Sequence, residues 1–419
     1  MEKHLLTLIL VILGLGHLWL QLFNRFMLSI PEGRLKEPIF GVTFLGIVLI
    51  PSILLLVFGD TPPLDAALGW RPATVAEILL FSAFAGIWIF MLWRMGLLIA
   101  DILFPMSSHR VLSEERSNVA LKKPKSLLPA FLSSWDTTFD LEFRDLEIQV
   151  RYLPREFDGL TLLQVSDLHF EEDPLWLPWF RQVRDFANSL EPDLVMFTGD
   201  FVNDEQTVRA SVEYHAGFEA RVAKLGVLGN HDYWTRPKKI RSLCKQNGIK
   251  LLHNESFIMM RHGRKLVFSG TDSPWNHKRV EASALHKDDA ADCLIFLSHT
   301  PDNGPLAAMN DAYLILSGHN HGGQIRLPII GPLIIPSRYG RMFCDGLFDL
   351  NESSVMVVSR GIGCSRFGSK PAGKFRLGCK PELIRITLRA PFADLPVRTR
   401  SSNELFKPRV STPVAEISG

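Results

Sequence analysis

Three long apolar stretches dominate the first 105 residues and predict membrane-spanning helices. They cover residues 5–23, 39–58 and 78–104, and the second contains no charged residue. A helix needs about 20 apolar residues to cross a bilayer. A cleaved signal peptide is the alternative for the first stretch, but no small-residue cleavage site follows it. We therefore predict a transmembrane region over residues 1–105 with about three helices.

Both ends of the remaining chain have a polar composition. Residues 106–140 are basic, rich in Ser and Lys, and contain prolines, so they are predicted to be a linker. Residues 389–419 are rich in Pro, Ser, Thr and charge, which is typical of disordered tails. The segment between them, residues 141–388, is the predicted globular domain.

Short apolar runs separated by helical patterns predict an α/β domain. Apolar and polar residues alternate over 139–152, as in a half-buried strand. The patterns over 175–190 and 237–246 predict helices. Buried core strands are rich in β-branched residues or Leu, and four runs fit that description: 161–166, 193–198, 294–298 and 312–317.

Charge and cysteine content narrow the functional classes. A net charge of +2 gives no electrostatic case for nucleic acid as a partner. Lys and Arg cluster after the first and third apolar stretches, so the positive-inside rule places the large domain in the cytoplasm. The five cysteines form no Cys-x-x-Cys pair, which argues against a thiolate zinc site.

Residues that can bind metal ions follow the predicted strands. The carboxyl ends of parallel strands meet at one edge of a sheet, so these residues are expected to converge. Carboxylates mixed with imidazoles suit Mn, Fe or Zn, and two such ions about 3.5–4 Å apart can clamp a phosphoryl group. Taken singly, each residue has a structural alternative such as a helix cap or turn. The candidate ligands are Asp167, His169, Asp200, Asn230, His299, His319 and His321.

These blocks resemble those of the calcineurin-like metallophosphoesterases over residues 160–388. The blocks are Asp-x-His, Gly-Asp, Gly-Asn-His-Asp, a lone His and Gly-His-x-His. The motif sequences VSDLHF, TGDFV and SGHNHGGQIRLP resemble those of a bacterial membrane-associated branch of the family. That branch includes enzymes that split UDP-2,3-diacylglucosamine in lipid A synthesis. Asn320 departs from the family, where Thr is commoner, at a position that is not a ligand. The resemblance implies a four-layer αββα sandwich that holds two divalent ions, Mn²⁺ first, with Fe or Zn as alternatives.

The resemblance also implies a role for each residue of the blocks. Asp200 would bridge the two ions. Asp167, His169 and His321 would hold the first ion, and Asn230, His299 and His319 the second. His231 would stabilise or protonate the leaving oxygen, with Asp232 orienting its ring. A turn carboxylate is the alternative for Asp232.

Substrate residues are predicted from two apolar segments and several arginines. Residues 173–180 and 325–336 follow metal motifs directly, so Trp176 and Trp179 are candidates for a rim that meets lipid. Core packing is the alternative for both segments. Arg338 and Arg341, with Arg360, are candidate phosphate contacts, although most exposed arginines are merely solvated.

The leading hypothesis is a hydrolase in the bacterial inner membrane that cleaves a phosphodiester or lipid diphosphate such as UDP-2,3-diacylglucosamine. The alternatives are a general phosphodiesterase or nuclease tethered to the membrane, a non-catalytic scaffold, and a small transporter with a regulatory domain. The presence of all seven ligands and of His231 argues against the scaffold. The predicted partners are therefore the lipid bilayer and a phosphoester or lipid-diphosphate substrate.

Overall fold

The computed structural model describes residues 110–126, 128–274, 293–328, 331–366 and 373–391. The predicted membrane spans and nearly all of the predicted tail lie outside these residues. Among the helices of the described ranges, none is long and apolar enough to cross a bilayer.

The described residues contain fifteen strands and six α-helices. The strands are β1 (Val111–Asn118), β2 (Glu142–Gln149), β3 (Thr161–Val165), β4 (Leu194–Thr198), β5 (Ala223–Val227), β6 (Ile249–Leu251), β7 (Glu255–Arg261), β8 (Arg264–Thr271), β9 (Cys293–Ser298), β10 (Ala312–Ser317), β11 (Arg326–Leu327), β12 (Gly331–Pro332), β13 (Gly346–Asp349), β14 (Val355–Val358) and β15 (Glu382–Arg389). The helices are α1 (Ala130–Ser133), α2 (Leu177–Ser189), α3 (Val208–Ala216), α4 (Asn230–Trp234), α5 (Pro237–Gln246) and α6 (Gly304–Met309).

Two large mixed sheets form the centre of the domain. The first has the strand order β1-β2-β15-β3-β4-β5-β6, and the second has the order β13-β14-β10-β9-β8-β7. Strands β3 to β6 run parallel to one another. Strands β8, β9, β10 and β14 also run parallel. Strands β11 and β12 form a separate small hairpin.

Three apolar clusters define four layers. Leu162, Met196 and Ile295 belong to the cluster between the two sheets. The opposite face of the first sheet packs against α2, α3 and α5, while the outer face of the second packs against α6. Because strands such as β4 are buried on both faces, their sequences are continuous apolar runs. The described residues thus fit the predicted mixed α/β sandwich.

Strand β1 lies inside the segment predicted to be a linker. It pairs with β2 in an antiparallel ladder at the edge of the first sheet, and nearly every residue in it is exposed. Its Glu114 lies 2.9 Å from the Nε atom of Arg144 on β2. An exposed strand held by ladder hydrogen bonds leaves no hydrophobic period, so the pattern could not reveal it. Charged side chains also protect such an edge from pairing with other chains.

The register of the first sheet sets which strand ends share an edge. Gln164, near the end of β3, pairs with Ile384 near the start of β15. Strand β2 runs parallel to β15, and β1 runs antiparallel to β2. The end of β1 therefore lies towards the carboxyl end of β3, and its first residue, Val111, lies at the opposite end of the sheet.

Candidate metal centre

Loops after four strands, together with the start of α4, bring the predicted ligands together. Asp167, His169, Asp200 and His321 form one group whose ligand atoms lie within 4.8 Å of one another. Asp200, His299 and His319 form a second such group. The seventh predicted ligand joins them, because Oδ1 of Asn230 lies 3.2 Å from Nε2 of His299. Asp200 belongs to both groups, which is the position expected of a bridging carboxylate.

Hydrogen bonds on the far side of two imidazoles orient their lone pairs towards the cluster. Nδ1 of His169 lies 2.7 Å from Oδ1 of Asn203, and Nδ1 of His299 lies 2.7 Å from the carbonyl oxygen of Thr198. An oxygen acceptor at Nδ1 places the proton there and leaves Nε2 available as a metal ligand. Both Nε2 atoms face Asp200, at 3.5 and 3.2 Å from its Oδ2.

The backbone of the site is strained at most of its ligands. Positive φ angles are uncommon for residues other than glycine and cost about 1–3 kcal/mol each. Such strain persists only where the surrounding structure imposes it. Five of the seven ligands adopt the left-handed region: Asp167 (φ 52°), His169 (φ 44°), Asp200 (φ 56°), His319 (φ 73°) and His321 (φ 50°). This concentration of strain supports a functional role for the cluster.

Burial and neighbouring charges shift the pKa values of the cluster. Burial raises the pKa of Asp167 to about 6 and lowers the pKa of both His169 and His321 well below its usual range. Burial would also raise the pKa of Asp200, but the imidazoles of His299 and His231 hold it well below normal. Burial alone would lower the pKa of His299, but the neighbouring Asp200 carboxylate raises it, and the pKa reaches about 9. The ionised Asp200 carboxylate beside the neutral imidazoles of His169 and His321 is a donor set that fits divalent cations, and a cation bound beside His299 would replace its proton.

His231 lies beside the donor groups. Its backbone N–H donates to Oδ1 of Asp200 at 3.0 Å. Its ring contacts the rings of His169 and Trp234, each with a centroid distance of 4.5 Å. The imidazole is therefore next to the ligands without belonging to either ligand group, which suits a role in proton transfer.

Asp232 has a different environment from the one predicted. Its Oδ1 accepts hydrogen bonds from the backbone N–H groups of Phe201 and Val202, at 2.9 and 3.3 Å. Its Oδ2 accepts from the N–H of Gly229 at 2.9 Å. Both oxygens thus hold one ligand loop against another. These contacts support the turn-carboxylate alternative, and the orientation of the His231 ring by Asp232 stays a prediction.

The sequence also matches a known family. Residues 160–323 match the model of the calcineurin-like phosphoesterases. This range contains all seven ligands and His231. Together with the buried His/Asp cluster and the relatives described next, the match supports a metal-dependent phosphoester hydrolase.

Bacterial and animal proteins with metallophosphoesterase names are similar to this chain. The metallophosphoesterase YkuE of Bacillus subtilis is 29% identical over 255 residues, which cover 60% of this chain and 86% of that protein. The phosphodiesterase YaeI of Escherichia coli is 26% identical over 234 residues, covering 54% of this chain and 81% of YaeI. A transmembrane protein with a metallophosphoesterase domain from Danio rerio is 29% identical, with 52% of each chain covered. The finer resemblance to lipid A enzymes stays a prediction.

The two tryptophans predicted to meet lipid belong to the core of the domain. Trp176 is 3% exposed and Trp179 is fully buried. The indole N–H of Trp179 donates to the carbonyl oxygen of Phe139 at 3.2 Å, and both rings pack against that of Phe180. Neither side chain can contact a bilayer in this fold. The interpretation as a lipid-binding rim is therefore wrong for these residues, and the core-packing alternative holds.

The arginines predicted to contact phosphate lie outside the two ligand groups. Arg338 is exposed, and its backbone N–H donates to Asp302. Arg341 is half-buried in the short 3₁₀ turn Gly340–Phe343. Arg360 is buried in ion pairs with Glu142 and Glu382, at 2.5 and 3.2 Å. The structure thus gives Arg360 a structural role and leaves phosphate binding by the other two as a prediction.

Several residues that support the site were not predicted from the sequence. Asn203 orients His169, and Gln324 accepts the backbone N–H of Ser365 next to His321. Arg376 is fully buried and donates to the carbonyl oxygens of Arg360 and Gly363, at 2.7 and 2.6 Å. One signal was present, because the apolar run of β14 is followed by Ser-Arg-Gly-Ile-Gly-Cys-Ser. The end of β14 therefore carries glycines, as do the ligand-bearing ends of β4, β5 and β10.

Replacing Gly229 by alanine is expected to displace the shared carboxylate. A Cβ atom there would overlap Oδ1 of Asp200 and lie 2.8 Å from its Cγ. Small displacements of reacting groups cost about a hundredfold in rate, so we expect a loss of at least that size together with metal loss. Gly217→Ala is the matched control, because the three atoms nearest to its Cβ all belong to the flexible side chain of Arg184. Parent-like metal content and turnover in Gly229→Ala would contradict this prediction.

Proposed function

We propose that this chain is a two-metal phosphodiesterase and that Mn²⁺ is its ion. One observation carries the proposal: the Asp200 carboxylate is shared by two groups of potential ligands. Two neighbouring ions with a common carboxylate are typical of phosphoesterases. The printed name of the relative YaeI, a phosphodiesterase, supports a diester as the substrate class.

The residues of the chain divide between holding the ions and moving a proton. Divalent cations at this site would supply Lewis acidity to the phosphoryl group and lower the pKa of water. Asp167, His169 and His321 would hold one ion, and Asn230, His299 and His319 the other. His231 lies beside these donors, where it can give a proton to the leaving oxygen.

We also propose that the region before residue 106 anchors the domain in a membrane, with the catalytic domain in the cytoplasm. The three apolar stretches support this, as do relatives from Danio rerio and Bos taurus that are named transmembrane proteins. The chain covers 52% and 56% of those two proteins, so their membrane segments support the proposal only by analogy. An anchor raises the local concentration of membrane substrates around the domain.

A lipid diphosphate such as UDP-2,3-diacylglucosamine is the finer version of the proposal. The predicted membrane anchor and the sequences of the metal-binding motifs support a lipid substrate. The burial of Trp176 and Trp179 removes one argument for a lipid substrate. A comparison of turnover on a lipid diphosphate and on a soluble diester therefore distinguishes the two substrate classes.

The assay uses the purified full chain with and without metal. We expect exhaustive chelation to lower turnover by at least about a hundredfold and Mn²⁺ to restore it, with two ions bound per chain. A generic aryl phosphodiester is tested beside UDP-2,3-diacylglucosamine. Cleavage of the aryl ester alone would keep the phosphodiesterase and reject the lipid substrate. Undiminished turnover in metal-free protein would reject the two-metal proposal itself.

A further inference from the structure

The loop after β14 is fastened to the loop that carries Asp167. The backbone N–H of Ile362 donates to the carbonyl oxygen of Ser166 at 2.9 Å, and that of Gly363 donates to Asp167 at 2.8 Å. A Cβ atom at Gly363 would overlap the carbonyl oxygen of Leu168, so only glycine permits this approach. These contacts hold the two loops together. They therefore fix the position of the residues that follow Gly363 relative to the ligands.

Gln324 fixes the position of Ser365 within this unit. The Oε1 atom of Gln324 accepts the backbone N–H of Ser365 at 2.9 Å, and its Nε2 donates to the Ser365 carbonyl oxygen at 2.8 Å. Gln324 is 3% exposed, and its own N–H donates to the carbonyl oxygen of the ligand His321 at 3.0 Å. The amide therefore ties Ser365 directly to the ligand loop. Such a two-bond clamp leaves little freedom to the Ser365 backbone.

The hydroxyl of Ser365 lies among the donor atoms of the first ligand group. Its Oγ is 3.1 Å from Nε2 of His321 and 3.5 Å from Nε2 of His169. Those two nitrogens are 2.9 Å apart. Octahedral ligands at 2.0–2.1 Å from one ion lie about 3 Å from their neighbours. The three atoms have the mutual spacing of donors that share one face of a coordination sphere.

We propose that Ser365 is an eighth protein ligand, whose neutral hydroxyl binds the ion held by His169 and His321. This inference rests on the two-metal site of the proposed function. Ser365 would add an uncharged oxygen to two carboxylates and two imidazoles. Such a mixed oxygen and nitrogen set suits Mn²⁺ or Fe²⁺, which accept six ligands, better than four-coordinate Zn²⁺.

The first test measures metal affinity in full-length variants. Changes to groups that support a metal site typically cost 10–100-fold in affinity, so Ser365→Ala should bind one of its two Mn²⁺ ions about tenfold more weakly and the other normally. Ser365→Thr keeps the hydroxyl and should restore the affinity. Titration calorimetry and the Mn²⁺ electron paramagnetic resonance spectrum provide readouts that do not depend on turnover. Parent-like affinity for both ions in Ser365→Ala would overturn the inference.

A cysteine at the same position provides a direct signature of ligation. Thiolates bind Co²⁺ with a charge-transfer absorption in the near ultraviolet, so Co²⁺-loaded Ser365→Cys should show a band that the parent lacks. Ser189→Cys, which places a cysteine at an exposed position of α2, is the matched control and should show none. The inference would be rejected if Ser365→Cys bound Co²⁺ without the band.

The outcomes separate the inference from the function on which it rests. A parent protein that neither binds two ions nor cleaves a diester would reject the proposed function. A parent that does both, with Ser365→Ala and Ser365→Cys behaving like it, would reject only the role of Ser365.

Discussion

Asp200→Ala is expected to lose both metal ions and to lower turnover by about a thousandfold or more, because loss of one preorganised electrostatic group alone costs 10²–10³. Asp200 is the residue that both ligand groups share. Its Oδ1 also accepts the backbone N–H of His231 at 3.0 Å, so the carboxylate holds the catalytic loop as well. Elemental analysis and steady-state kinetics on the same sample measure the two losses together.

One further variant separates charge from shape at this position, and a second serves as a control. Asp200→Asn keeps the size of the side chain and removes its charge, so it should lose metal almost as completely as the alanine variant. Asp185→Ala, at an exposed position of α2, is the control for a lost carboxylate elsewhere. An Asp200→Ala protein that retained two ions per chain would show that the shared carboxylate does not bridge them.

His231→Ala is expected to keep both ions and lose about 10²–10⁴ in kcat, the usual contribution of a general acid. The imidazole lies beside the donor groups, so its removal leaves them intact. The defect should shrink with aryl esters whose leaving group is more acidic, because such a group departs without protonation. Steady-state kinetics over a series of aryl diesters measure this dependence.

The control for His231 is another histidine change with no role at the site. His262 is exposed in the turn between β7 and β8 with a φ of 47°. Asparagine tolerates this angle, so His262→Asn should match the parent. If His231→Ala emptied the metal site, the imidazole would be structural, and its assignment as a proton donor would be wrong.

Strands that are buried on both faces were predictable from sequence. Met196 and Phe197 are adjacent on β4 and pack into different clusters, so the strand is apolar throughout. The two predicted helices agree with α2 and α5 to within two residues. Strand β1 was not predicted, because it is held by backbone hydrogen bonds to β2 and its exposed side chains show no hydrophobic pattern.

The ligands of the site were predictable, whereas their supports were not. Residues such as His299 are informative because metal-binding side chains seldom follow a buried strand by chance. Asn203 and Ser365 are ordinary loop residues, and their roles come from contacts with His169 across 34 and 196 positions of the chain. The apolar composition around Trp176 did not distinguish a lipid-contacting surface from a buried core, because an aromatic ring is equally apolar in both.

The direction of β1 has a consequence for how an anchored domain would work. The chain enters the first sheet at Val111, at the end remote from the metal centre, and β1 is eight residues long. At about 3.3 Å per residue, the strand carries the entry point about 23 Å from the edge that bears the ligands. An anchor preceding Arg110 would thus hold the domain by its base, with the catalytic edge turned towards the aqueous phase. In such an arrangement a membrane lipid would reach the metal centre only by extending its headgroup away from the bilayer surface.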